Sequence, residues 1–129
     1  MLLSRKASIE LIAVFAGGFL GGGLRFLFGY LPMIGHWPIT TIIINWTGCL
    51  ALAYLGAWMA KHTAVPHLWQ TFIGTGILGG YTTFSTMILQ VYQQGLLSGF
   101  LYLVATIFGG WFMVELGQWL VCRSGEQHV

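Results

Sequence analysis

The residues able to do chemistry are concentrated near the middle of the chain. Between Gly74 and Thr86 the sequence reads Gly-Thr-Gly-Ile-Leu-Gly-Gly-Tyr-Thr-Thr-Phe-Ser-Thr, with four glycines and five serines or threonines in one apolar neighbourhood. A regular lipid-facing helix has no use for such a run. Hydroxyls and freed backbone groups of this kind can bind an ion, and irregular backbone at membrane depth is tolerated only against protein, water or ions. A break at Gly79 to Thr83 with a buried polar site is one reading. A glycine-and-hydroxyl helix interface, with Ser and Thr bonding back into their own turn, is the other.

Two further side chains raise the same question. Asn45 lies in the apolar stretch from Ile42 to Leu50, and a buried amide without partners costs on the order of 1–3 kcal/mol. It serves either as an interhelical hydrogen-bonding group or as a donor lining an ion path. Arg25 sits toward the end of the first apolar stretch, where snorkelling or capping of a nearby carbonyl is expected. Glu10 and Glu115 lie near helix ends and are assigned no chemistry. His36, His62, His67 and His128 form no ligand set, and Cys49 and Cys122 have no metal-type spacing and read as packing residues. No nucleophile and base can be assembled within the apolar stretches, so an enzyme is not expected.

The elements that must position these groups follow from composition. Hydrophobic residues make up 57% of the chain, charged residues 6%, and the mean hydropathy is +0.80. A water-soluble domain is about a quarter charged, so that class is excluded. Apolar stretches cover 9–31, 39–60, 68–93 and 96–122. Each matches the ~20 residues a helix needs to cross a bilayer. The expected fold is therefore an all-α integral membrane protein of four transmembrane helices, with the third helix broken in the middle, occupying 1–129 as one domain. A β-barrel would need short segments of alternating polarity, which are absent. The basic start from Met1 to Lys6 runs directly into the first span, so no separate signal peptide is expected. Gly17, Gly18, Gly21 and Gly22 form a small-residue face suited to close helix packing. Arg5, Lys6, Lys61 and Arg123 fall on one side, which favours cytoplasmic termini. The net charge of +2 is too sparse for a nucleic-acid partner.

At these residues a family resemblance emerges. Gly17-Gly18-x-x-Gly21-x-x-x-Arg25-Phe26, Asn45 followed by Gly48, and Gly79-Gly80-Tyr81-Thr82-Thr83-Phe84-Ser85-Thr86 resemble the Fluc (CrcB-type) fluoride channels across essentially the whole chain. The resemblance implies an antiparallel, dual-topology homodimer in the bacterial cytoplasmic (inner) membrane, with the lipid bilayer and a second copy of the chain as partners. Passive, selective export of the fluoride ion through two pores and a structural sodium ion between the subunits are also implied. It assigns Asn45, Phe84, Ser85, Thr86, Tyr102 and Thr106 to the fluoride pore, carbonyls of Gly79 and Thr82 to sodium, and a structural place near the pore to Arg25. Met87 stands where a second pore phenylalanine is usual, and Gln90 where an acidic residue is frequent.

The residue chemistry is compatible with that implication. Fluoride leaves water only for close and numerous donors, which amide and hydroxyl groups provide. An aromatic ring has an electropositive edge, which Phe84 can turn toward an anion and Met87 cannot. The competing class is a proton-coupled exporter resembling the small multidrug-resistance transporters. Those depend on a glutamate deep in the first helix, and here the first-helix acid is Glu10, near its start. A non-conducting assembly subunit would leave Asn45 and the break unexplained.

Overall fold

The computed structural model describes residues 4–30 and 38–126. Described residues form helices throughout: α1 (Arg5–Phe28), α2 (Ile39–Lys61), α3 (His67–Gln70), a π-helical segment (Thr71–Leu78), α4 (Gly79–Tyr81), α5 (Ser85–Gln93) and α6 (Leu96–Glu126). From α3 to α5 the chain is one interrupted rod, so four rods result. Each contains a stretch long and apolar enough to cross a membrane. The sequence places these spans within a few residues of the observed helices. It does not anticipate the π-helical turns, whose wider winding is a common mark of functional segments in helices.

Helix ends follow local chemistry. The Ser4 hydroxyl accepts the Ala7 amide at 3.3 Å and caps α1. Pro38 and Pro66 precede α2 and α3, where a missing amide proton costs nothing. Gly95 has φ of 81° between α5 and α6, a left-handed conformation that favours glycine.

The rods pair in parallel. Alongside α1 lies the first half of the third span, and α2 lies along α6. The first pair is joined through backbone. A Cβ on Gly17 would stand 2.8 Å from the Gly76 Cα, one on Gly80 would stand 2.6 Å from the Gly18 carbonyl, and one on Gly21 would overlap the Ile77 carbonyl. Of the expected glycine face, Gly17 and Gly21 are buried, whereas a side chain on Gly22 would meet open space. The second pair is joined through an indole. Trp46 lies over Gly109, where any side chain would overlap the ring, and its Nε1 donates to the Thr106 carbonyl at 3.1 Å.

Lys61 Nζ donates to the Val121 carbonyl at 3.1 Å, and His67 Nδ1 lies 3.3 Å from Glu10 Oε1. These contacts bring the start of α1, the end of α2, the start of α3 and the end of α6 to one end. Arg5, Lys6, Lys61 and Arg123 therefore share that end, as the loop pattern implies. Cys122 is exposed there on the single chain, and Cys49 is half-buried.

Candidate functional site

The third span leaves the helix at Thr82. Gly79–Tyr81 is still helical, with Gly79 at φ −64° and ψ −37°, whereas Thr82 is extended at φ −76° and ψ 157°. The expected break from Gly79 to Thr83 therefore begins three residues late. Helical winding resumes at Ser85. Glycine permits close approach here, but the departure occurs at threonines, because side chains from α1, α2 and the break itself take over the backbone bonds.

The freed backbone groups can be followed individually. Asn45 Nδ2 donates to the Thr83 carbonyl at 2.9 Å, and the Thr83 amide donates to Asn45 Oδ1 at 2.9 Å. One side chain thus pairs with both sides of a residue, as a neighbouring strand would. In an unbroken helix the Thr83 amide would serve the Gly79 carbonyl; that partner is diverted. The Thr82 carbonyl accepts from Arg25 Nη1 at 3.1 Å. Arg25 is therefore a carbonyl cap, reaching the third span rather than a turn of its own. The Thr86 amide donates to Thr83 Oγ1 at 3.3 Å, which caps α5. A break buried without such partners would cost about 1–3 kcal/mol per orphaned group.

The remaining hydrogens are what the site can offer a ligand. Asn45 uses one of its two amide hydrogens on Thr83. Thr83 Oγ1 donates to Thr86 Oγ1 at 3.0 Å, so the Thr86 hydroxyl is polarised and its own hydrogen is uncommitted. Farther along α5, Gln90 Oε1 accepts from the Tyr102 hydroxyl at 2.8 Å and its Nε2 donates to Thr41 Oγ1 at 3.0 Å. Thr41 therefore also keeps a hydrogen to give. Ser85 is exposed and unpaired among the described residues. Thr106 differs from expectation, because its hydroxyl donates to the Tyr102 carbonyl at 2.8 Å and its hydrogen is spent.

Two cavities flank the break. One, about 670 Å³, is edged by Arg25, Thr40, Thr41, Thr83, Thr86 and Gln90. The other, about 750 Å³, is a groove with Asn45, Gly79, Thr82, Phe84, Met87 and Thr106 along it, otherwise mainly apolar. Phe84 and Met87, one helical turn apart, behave oppositely. Phe84 is 73% exposed, while Met87 is 6% exposed and packs with Ile42 and the fully buried Tyr102. Among the described residues, no acidic side chain lines either cavity. Among the described residues no three His, Cys, Asp or Glu side chains cluster as for a metal.

Sequence reasoning passes over Thr83 and Thr41. A signal for Thr41 exists, since it lies four residues before Asn45 on the same helix and shares its face. Thr83 has none, because in a run of hydroxyls nothing distinguishes the residue whose peptide groups pair with Asn45.

Four membrane-length helices, with an interrupted third span and a neutral, donor-rich site at the interruption, define a multi-pass membrane protein of all-α class. The particular family follows from comparison. Residues 12–118 match the family described as "CrcB-like protein, Camphor Resistance (CrcB)", and the chain belongs to that family. It is 38% identical over 113 residues to the Fluoride-specific ion channel FluC of Dichelobacter nodosus, covering 83% of this chain and 92% of that one. It is 41% identical over 86 residues to the FluC of Methylobacterium nodulans, covering 65% and 69% of the two chains. With the FluC of Oceanobacillus iheyensis the identity is 32% over 124 residues, covering 91% and 96%.

Proposed function

We propose that this chain forms a passive, selective fluoride channel that lets the ion leave the cytoplasm down its electrochemical gradient across a bacterial inner membrane. The observation that carries the reading is the surplus of neutral donors at the break. Asn45, Thr41, Thr86 and Gln90 each keep a hydrogen uncommitted, and no carboxylate lines either cavity to consume it. Such a lining suits an anion and repels none. The names of the relatives supply the identity of that anion. A small, strongly hydrated ion needs several close donors to replace its water. These donors are themselves uncharged, and the cation beside them, Arg25, is tied to the Thr82 carbonyl, so the ion is not held by a free charge and can depart. Arg25, committed to the Thr82 carbonyl, contributes positive potential at the edge of the path.

The pore residues of this proposal are Asn45, Phe84, Ser85, Thr86, Met87, Tyr102 and Thr106, with Arg25 structural beside them. Phe84 offers its ring edge to the ion. Met87 supplies apolar wall from within the core. Tyr102 acts through Gln90, and Thr106 positions the α6 side of the groove.

Polar backbone around Gly79 and Thr82 opens on a groove that lipid cannot satisfy. A second copy inserted antiparallel would cover it, giving a dual-topology homodimer with two pores. The carbonyls of Gly79 and Thr82 fit a sodium ion. The first has lost its helical partner, the second accepts one bond and has a lone pair left, and both residues line the groove. Sodium there would supply positive charge between the two anion paths.

The proton-coupled alternative needs an intramembrane acid. Glu10, the acid of α1, sits near the start of its helix beside His67, and Glu115, within α6, is exposed; neither lines either cavity. The test is fluoride efflux from liposomes holding purified protein. Passive conduction predicts efflux that starts on adding valinomycin in a potassium gradient and is not driven by a pH gradient. Uphill fluoride movement driven by protons alone would overturn the proposal.

A further inference from the structure

Thr83 is the residue common to the two cavities. It lines both the donor-edged space beside Arg25 and the groove beside Phe84, and among the described residues no other does. It is buried, and its peptide is held on both sides by Asn45. Its hydroxyl alone of its polar groups can rotate. That hydroxyl accepts the Thr86 amide at 3.3 Å and donates to Thr86 Oγ1 at 3.0 Å.

We infer that Thr83 is a specificity-determining residue of the conduction path, handing an anion from one cavity to the other with its hydroxyl hydrogen. The inference rests on the fluoride-channel reading and names the step between its two sides. An anion arriving from the groove meets the spare Asn45 hydrogen, and the next donors beyond are Thr86 and Thr41. Thr83 stands between them. Its hydroxyl has a ready resting partner in Thr86 Oγ1, so it can swing to a passing ion and return without ever being left unpaired. The released Thr86 oxygen keeps its own hydrogen for the same ion. A neutral rotor of this size serves an ion that accepts at close range and gives a larger halide little, since the peptide beneath it is pinned and cannot widen.

A purely structural role would make Thr83 the cap of α5 and nothing more. The two roles separate in measurements on purified protein in liposomes. Thr83→Ser keeps the hydroxyl and is expected to conduct within about twofold of wild type. Thr83→Val keeps the volume and loses the hydroxyl; fluoride flux per folded channel is expected to fall at least tenfold. Should valine prevent folding, Thr83→Cys in a Cys49→Ala/Cys122→Ala background carries the test. Its thiol is a weak donor, so flux should fall, and Ag⁺ should abolish the remainder more slowly when fluoride is raised. A cap alone would change the yield of folded channel but give no fluoride protection. Normal flux in folded Thr83→Val, or no protection by fluoride of the introduced thiol, overturns the inference while leaving the channel reading intact. Absence of flux in wild type would overturn that reading itself.

Discussion

The cavity beside Arg25 and the groove beside Phe84 share Thr83 and the helices α2 and α5, yet offer an ion opposite things. The first is edged by a guanidinium, three threonine hydroxyls besides Thr83 and an amide; the second has Asn45 and Thr83 at its polar end and Phe84, Met87, Ile88, Leu103 and Trp111 along most of its wall. One side can replace water around a small anion. The other cannot, so in the proposed channel it refuses any ion that is not already served by the few donors at its head. In the proposed channel, selectivity comes from the meeting of the two, at a break whose backbone is held by side chains from α1 and α2.

Asn45→Ala should have the largest effect, because it attacks both sides together. It removes a donor and orphans the amide and carbonyl of Thr83. A loss of stability of ~2–4 kcal/mol is expected for two such groups. Fluoride flux should fall about a hundredfold, equivalent to ~2.7 kcal/mol of barrier. Thermal melts in detergent and liposome efflux check the two parts, and unchanged flux would reduce Asn45 to helix packing.

Phe84→Ile alters the groove alone. It keeps an apolar side chain at a position that is 73% exposed in the subunit and removes the ring edge. Flux should drop at least tenfold while the melting temperature of the protein hardly moves. Near-normal flux would mean that the groove acts only as a wall.

Gln90→Glu alters the donor side alone. An ionised carboxylate accepts from both Thr41 and Tyr102, so the Thr41 hydrogen is withdrawn from the path and a negative charge is added. The variant should conduct better at acid pH, where the group is neutral, and lose flux severalfold as pH rises through its pKa. Wild type, with an amide there, should show no such step. Equal pH profiles for the two proteins would break the argument from hydrogen direction.

Met87→Phe should do least for conduction. The position is 6% exposed and packed against Ile42 and Tyr102, so a ring there meets the core rather than an ion. Overpacking of ~1–3 kcal/mol and little change in flux are expected. A large gain in flux would instead place the position on the path.

The four spans were legible because hydrophobic length is read directly from sequence, and the break because so dense a run of glycines and hydroxyls suits irregular backbone as well as close helix packing. Its position was displaced from Gly79 to Thr82, since what ends the helix is the competing pair of bonds from Asn45, 38 residues away in sequence. Long-range hydrogen bonds leave no local pattern. Thr106 was misread for a different reason: its hydroxyl bonds back to the Tyr102 carbonyl four residues earlier, a local bond that a helical threonine can make or leave unmade. The burial of Met87 beside the exposure of Phe84 depends on how α5 turns against α6, which two apolar letters three apart do not encode.

The central claim is that a neutral, donor-rich break next to an apolar groove selects fluoride without a charge-carrying partner. The most direct measurement is the reversal potential of the purified protein in a planar bilayer, with fluoride on one side and chloride on the other. The account predicts a potential governed by the fluoride gradient and indifferent to a pH gradient. A potential that follows chloride as readily as fluoride, or one that tracks the proton gradient, would contradict it.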